Sequence, residues 1–383
     1  MKKEKKTFNK KASKKKDTGI LSRSDKNLPF KKVFTFFLSF VFYFFSGLFL
    51  IILSLAWLNS AGFIKPGSLL YGFDYVPVNM LVYVLIPAFL VGMFTKRKAF
   101  STGMLVLYIF FWLACGDHSL FGSPGKKSRA VAGNDTISVM TLNVAQFYPG
   151  IKWVGLQVEK IYPEVLCFQE HENFGPLNYE YVRNAFPSYH VAIGQGCDSG
   201  IMSVHPIIAF KEVELSSRLP VYHDNTPEKL TNRPHRRFLH AIIKKNGRLI
   251  HILNLRLIAG RGKNFFDSPR DVIAWGRYLV NTQSREVREM ADYIASLKGP
   301  VIFAGDFNAP PNASVLKPLY KQGKDVLKEF YTFPPCTFEA KMPLQRLDYI
   351  FYSGGLEPIY AKVLPYEISD HLPVYAVFKI VSM

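Results

Sequence analysis

Three stretches of this chain contain no charged residue: Val33–Leu58, Val76–Thr95 and Ala99–Gly116, of 26, 20 and 18 residues. A helix needs about 20 predominantly apolar residues to cross roughly 30 Å of hydrocarbon, so each window predicts a transmembrane helix. From residue 136 onward the pattern changes to short apolar runs separated by turns. Runs at Ile137–Asn143, Val165–Gln169, Tyr189–Ile193, Ile207–Val213, Phe238–Lys244, Leu249–Leu255, Val301–Ala304, Leu347–Tyr352 and Pro373–Phe378 predict strands. Ile151, Val154, Val158 and Ile161 repeat at helical spacing before Pro163, as do Val287, Met290, Ile294 and Leu297 before Gly299-Pro300. Many strands with a few helices predict an α+β domain built on packed sheets. Leu215–Arg236 has no clear period and reads as a long surface loop.

Charge adds orientation. Residues 1–32 hold 13 Lys and Arg against Glu4, Asp17 and Asp25, a surplus of +10 within an overall +19. Lys96-Arg97-Lys98 separates the second and third windows, while Asn59–Tyr75 offers only Lys65 against Asp74. Positive segments stay in the cytoplasm. The expected order is therefore a basic cytoplasmic tail (1–32), a three-span anchor (33–116), a linker (117–135) and a domain (136–383) on the extracytoplasmic side. A cleaved signal peptide, with Asn59-Ser60-Ala61 as its cleavage region, is the competing reading of the first window, whose apolar run is longer than the roughly 7–15-residue core such a peptide carries. Phe8 and Phe30 are the only aromatic residues of the tail, which gives little to stack bases on. The four cysteines, Cys115, Cys167, Cys197 and Cys336, show no C-x-x-C spacing and point to neither a zinc nor a dithiol site. A single disulfide stays open.

The informative residues sit at strand ends. Asn143 closes the first run, Gln169-Glu170 the second, and Gly305-Asp306-Phe307-Asn308 follows Val301–Ala304. Ser369-Asp370-His371 precedes the last. Loops at one edge of a sheet can converge on a single pocket. Carboxylates and amides with one imidazole are hard donors that suit Mg²⁺, Mn²⁺ or Ca²⁺ better than zinc. Asp348, flanked by Leu347, Tyr349, Ile350 and Phe351, would be costly to bury without a partner, and a histidine is the natural one. Three consecutive side chains cannot stack into a relay, so residues 369–371 do not form a serine-hydrolase triad.

Six motifs, TLNVAQF (141–147), CFQE (167–170), SGIMSVHPI (199–207), GDFNAPP (305–311), RLDYIFYS (346–353) and SDHLPV (369–374), follow one another in order. Together they resemble the endonuclease/exonuclease/phosphatase superfamily, which includes deoxyribonuclease I, abasic-site endonucleases, neutral sphingomyelinases and inositol polyphosphate 5-phosphatases. The resemblance covers the domain and none of the apolar windows. It implies a four-layer α/β/β/α sandwich and an Mg²⁺-dependent (Mn²⁺ as a substitute) hydrolase of phosphoester bonds. Glu170 would be the principal metal ligand, supported by Asn143 and Asp370. Asp306 and Asn308 would position the attacking water and the phosphate, and His371, oriented by Asp348, would contact the scissile phosphate.

One position departs from the family pattern. Where an Asn-Thr-His-Leu sequence is usual, this chain has Asn254-Leu255-Arg256-Leu257. Arginine holds phosphate through a bidentate fork but is a poor proton donor. Asn254 and Arg256 are thus candidate phosphate-binding residues, and Arg256 also opens the alternative of a weak or inactive domain that binds an anionic ligand. Arg233, His235, Arg236, Arg237 and His240 read either as a solvated face or as the rim of an anionic-substrate site. The expected partners are a nucleic-acid or phospholipid substrate and the lipid bilayer, with no organic cofactor.

Overall fold

The computed structural model describes residues 28–60, positions 102, 103, 105, 106 and 109, and residues 133–148, 150–171, 178–218, 234–259, 269–332 and 334–381. The basic tail up to residue 27, the Val76–Thr95 window, most of Ala99–Gly116 and the linker up to residue 132 lie outside the described residues. Val33–Leu58 falls within one 33-residue helix, α1 (Leu28–Ser60). Among the described residues no helix is long and apolar enough to cross a membrane; some α1 side chains lie outside that description.

Among the described residues the domain is built from twelve strands. Sheet one runs β11 (Leu356–Val363), β12 (Val374–Ile380), β1 (Thr136–Asn143), β2 (Val165–Gln169), β4 (Ser199–Ser203), β3 (His190–Ile193). Sheet two runs β5 (Ile207–Arg218), β6 (His235–Lys245), β7 (Arg248–Arg256), β8 (Val301–Asp306), β10 (Asp348–Ser353), β9 (Lys324–Asp325). Both faces of the central strands are apolar, and each face finds a partner. Ile137, Val139 and Val165 of sheet one meet Leu239, Ala241, Ile252 and Ile302 of sheet two in the central core. The outer face of sheet one (Met140, Leu142, Leu166, Phe168) packs on Val154 and Val158 of α2 (Ile151–Ile161). The outer face of sheet two (Leu253, Leu255, Phe303, Phe351) packs on Val287, Met290 and Ile294 of a 27-residue helix at Pro269–Ala295. The order helix, sheet, sheet, helix is the expected four-layer sandwich.

The predicted strands are present with ends shifted by a few residues, most of them lengthened. The expected long loop is shorter than it reads: Leu215–Arg218 continue β5 and His235-Arg236 open β6, while 219–233 lie outside the described residues. The ladder slips between Glu214 and Arg218, and such an irregularity hides the period-2 signal. β4 has no sequence signal, because Ser199-Gly200 begins it. A side chain at Gly200 would run into the Phe168 ring, 2.0 Å from its Cζ. Among the described residues Cys167 and Cys197 are free thiols, and Cys115 lies outside them.

Candidate active site

Strand direction alone gathers the candidate residues at one end of the sandwich. β1 and β2 are parallel and end together at Asn143 and Gln169. β7 and β8 are parallel and end together at Arg256 and Asp306. β10 runs antiparallel to β8 and begins there, with Asp348 opposite Asp306. β12 runs antiparallel to β1, so Asp370 and His371 just before it arrive at the same end. Two loop conformations sharpen the turn: Glu170 and Asn308 hold left-handed backbones with φ of 61° and 45°, a cost tolerated chiefly where surrounding contacts enforce it. Gly305, three residues before Asn308, is required as well, since at its φ of +146° a Cβ would stand 1.8 Å from the Leu255 carbonyl oxygen.

Asp306 is the centre of this arrangement. Its Oδ2 accepts the Asn143 amide across the two sheets at 3.0 Å and the Asn308 amide at 3.1 Å, and its Oδ1 accepts the Asn308 backbone N–H at 2.9 Å. Asn308 is anchored in turn to the Leu257 carbonyl at 3.1 Å. Burial pushes the Asp306 carboxyl up to about 6; the charge on His371 opposes that push, and the Asp348 carboxylate adds to it.

Asp348 is fully buried and meets the partner its environment demands. Its Oδ2 accepts a hydrogen bond from His371 Nδ1 at 2.8 Å, and Thr337 Oγ1 fixes the Asp348 backbone N–H at 3.2 Å. Burial of His371 opposes its charge, but the Asp348 carboxylate and this hydrogen bond, with help from Asp306 and Asp370, outweigh it. The ring is raised to about 10 and is an imidazolium at neutral pH. Asp348 Oδ1 is buried with no hydrogen-bond partner, so the pocket retains spare acceptor capacity. Ser369 is a loop support: its hydroxyl donates to the Asn143 carbonyl at 2.5 Å and accepts the His371 N–H at 3.0 Å.

Glu170, with a side chain 30% exposed, is held by the Arg256 guanidinium, which also pairs with Asp198. Asp370 is exposed, beside His371. Asn254 is fully buried, its amide donating to the Phe168 and Gly200 carbonyls at 2.8 Å each while its oxygen accepts Gln169 Nε2 at 2.7 Å. That side chain ties the sheets together rather than opening onto the pocket. The basic cluster is likewise consumed by acids: Arg236 pairs with buried Glu286 at 2.7 Å, and Arg237 with Glu212 and Glu214. His240 is buried against His251 and Tyr293. Arg233 lies outside the described residues. Asp198, which shares Arg256 with Glu170, has no sequence signal, being an acid in a Gly-Cys-Asp-Ser turn.

The Asp306, Asp348 and His371 side chains offer ligand atoms within 4.8 Å of one another, the arrangement of a candidate metal site. Two carboxylates and one imidazole form a donor set suited to a hard cation.

The family profile for the Endonuclease/Exonuclease/phosphatase family matches residues 140–371, and the chain belongs to that family, whose members generally hydrolyse phosphoester bonds and typically use divalent metals. Solved structures with similar folds include a humanized TDP2 from D. rerio (17% identity, TM-score 0.46, covering 64% of this chain and 99% of that one). An endonuclease/exonuclease/phosphatase from Bacteroides vulgatus is 14% identical with a TM-score of 0.47, covering 64% and 99%. The human Nocturnin catalytic domain is 20% identical with a TM-score of 0.44, covering 65% and 96%. No curated protein matches the sequence.

Proposed function

We propose that this protein is a membrane-anchored, divalent-metal-dependent phosphoesterase that hydrolyses a phosphodiester or phosphomonoester in a nucleic acid or a phospholipid head group. The observation that carries the reading is the convergence of Asn143, Asp306, Asn308, Asp348 and His371 from both sheets into one side-chain cluster. Hydrolysis needs a water held and polarised, and a donor for charge growing on phosphate oxygens. Asp306, buried and braced by Asn143 and Asn308, is the group to orient the water. His371, kept charged by Asp348, is the donor to the phosphate. Glu170, supported by Asn143 and Asp370, would hold Mg²⁺ or Mn²⁺, which when bound supplies Lewis-acid neutralisation of the phosphate.

The anchor rests on the three uncharged windows and the basic segments flanking them. The exposed Phe36, Phe37, Phe40 and Phe44 of α1 support it, since a helix with large apolar side chains left uncovered is suited to lipid. The proposed division is a cytoplasmic tail (1–32), three spans (33–116), a linker (117–135) and an extracytoplasmic catalytic domain (136–383).

The test is hydrolysis by the purified full-length chain of DNA, RNA, sphingomyelin and phosphoinositides, with Mg²⁺ and with EDTA. Turnover of one class, abolished by EDTA, is expected; no turnover of any, or turnover indifferent to EDTA, would contradict the proposal. A second reading, an inactive domain that binds an anionic ligand, is favoured by Arg256 pairing with the would-be metal ligand Glu170. Binding of a substrate without turnover would support it.

A further inference from the structure

The register that pairs Gln169 with Ser199 sets the next residue of one strand beside the preceding residue of the other: Glu170 and Asp198. Two carboxylates so placed repel each other, and a largely buried pair of them calls for a cation. The cation present is the chain's own. Arg256, from the other sheet, donates one guanidinium N–H to Glu170 Oε1 and another to Asp198 Oδ2. The three side chains, Arg256, Glu170 and Asp198, are 12%, 30% and 9% exposed. The base of the arginine is held as well. Its carbonyl accepts Arg236 at 2.8 Å, and Arg236 is fixed by buried Glu286.

We propose that Arg256 is a resident cation latch: its guanidinium holds the Glu170 carboxylate in the place of a divalent cation, so that cation binding must release it. This rests on the reading of Glu170 as a metal ligand. A planar fork can span two carboxylates where an ammonium, a single point charge, cannot. Asp198 gives the released arginine a partner to keep. The site therefore has two arrangements: Arg256 on both carboxylates, or Arg256 on Asp198 alone with the cation on Glu170. The first satisfies the carboxylates without metal and lowers affinity for it. The arginine that replaces the usual histidine would thus set how much divalent cation the enzyme needs.

The test is Mn²⁺ titration of the full-length chain in detergent micelles, read by the electron paramagnetic resonance signal of free Mn²⁺, with thermal melts confirming that each variant is folded. R256Q removes a unit charge next to the site and should bind Mn²⁺ roughly tenfold more tightly than the native chain. R256K keeps the charge but loses the fork and should show a smaller gain. R256Q that melts cooperatively and binds no more tightly overturns the latch; if R256Q does not fold, a Mn²⁺ affinity of R256K equal to or below native overturns it. E170Q should abolish binding. Native-like binding by E170Q would defeat the metal-ligand reading itself, and the latch with it, whereas its loss together with no gain in R256Q defeats the latch alone.

Discussion

Asn143 of one sheet donates its side-chain amide to Asp306 Oδ2 of the other at 3.0 Å, with both residues buried. The bond joins the ends of two strands 163 residues apart in sequence. It braces the carboxylate assigned to the water, so the fold and the chemistry share one contact. Asn143→Ala removes a donor from a buried carboxylate and is expected to cost about 1–3 kcal/mol in stability, measured by chemical denaturation, with a fall in turnover as well. An Asn143→Ala chain with native turnover would show that this brace is dispensable.

The Asp348–His371 pair predicts an alkaline dependence. His371 is raised from an ordinary 6.5 to about 10. A group raised in the folded state contributes stability fully below its unfolded value, and the contribution is lost as pH rises through the folded one. Melting temperature should therefore fall between about pH 7 and 10 in the native chain, and this slope should flatten in Asp348→Asn, which also loses about 3–5 kcal/mol at neutral pH. Parallel curves for the two proteins would contradict the pairing.

Glu164 predicts the acid side. It accepts from Ser138 N–H at 2.7 Å, His205 at 2.9 Å and the Lys245 ammonium. Burial pushes this carboxyl up, but the three partners together outweigh burial and leave it below its ordinary 4.5. Its stabilisation is present above 4.5 and lost as pH falls through the lower folded value. Glu164→Gln should be less stable near neutrality and less sensitive to acid; an unchanged acid slope would exclude this residue as a contributor.

Asn254 separates a structural amide from a phosphate ligand. Asn254→Asp turns a donor to two carbonyls into an uncompensated buried charge and is expected to cost about 3–5 kcal/mol. Asn254→Leu leaves those carbonyls unsatisfied and should cost about 1–3 kcal/mol. Equal stabilities with a loss confined to substrate KM would restore the residue to phosphate binding.

The membrane proposal is checked by a reporter enzyme fused after Lys127, which should be active only outside the cytoplasm. Cytoplasmic activity would reverse the proposed topology.

Much of the sandwich was legible because its central strands are buried on both faces and read as continuous apolar runs, as in Val301–Ala304 and Tyr349–Tyr352. Asp348 was legible for the same reason, as a carboxylate amid residues that exclude water. β4 was not, because Gly200 is kept for space against Phe168, which leaves no hydrophobic mark. Asp198 was not, because an acid in a turn has the same local sequence whether it is solvated or bridged by an arginine from another sheet. The pairing of Arg236 and Arg237 was not legible for the converse reason: their carboxylate partners, Glu286, Glu212 and Glu214, are distant along the chain and adjacent only in the fold.

The most direct test of the central claim compares turnover of bis(4-nitrophenyl) phosphate by the native chain with that of Asp306→Asn and His371→Gln in Mg²⁺. Each substitution is expected to lower kcat roughly 10²–10³-fold with the fold retained by circular dichroism. Native-like kcat in either folded variant would contradict the assignment of this pocket as the catalytic site.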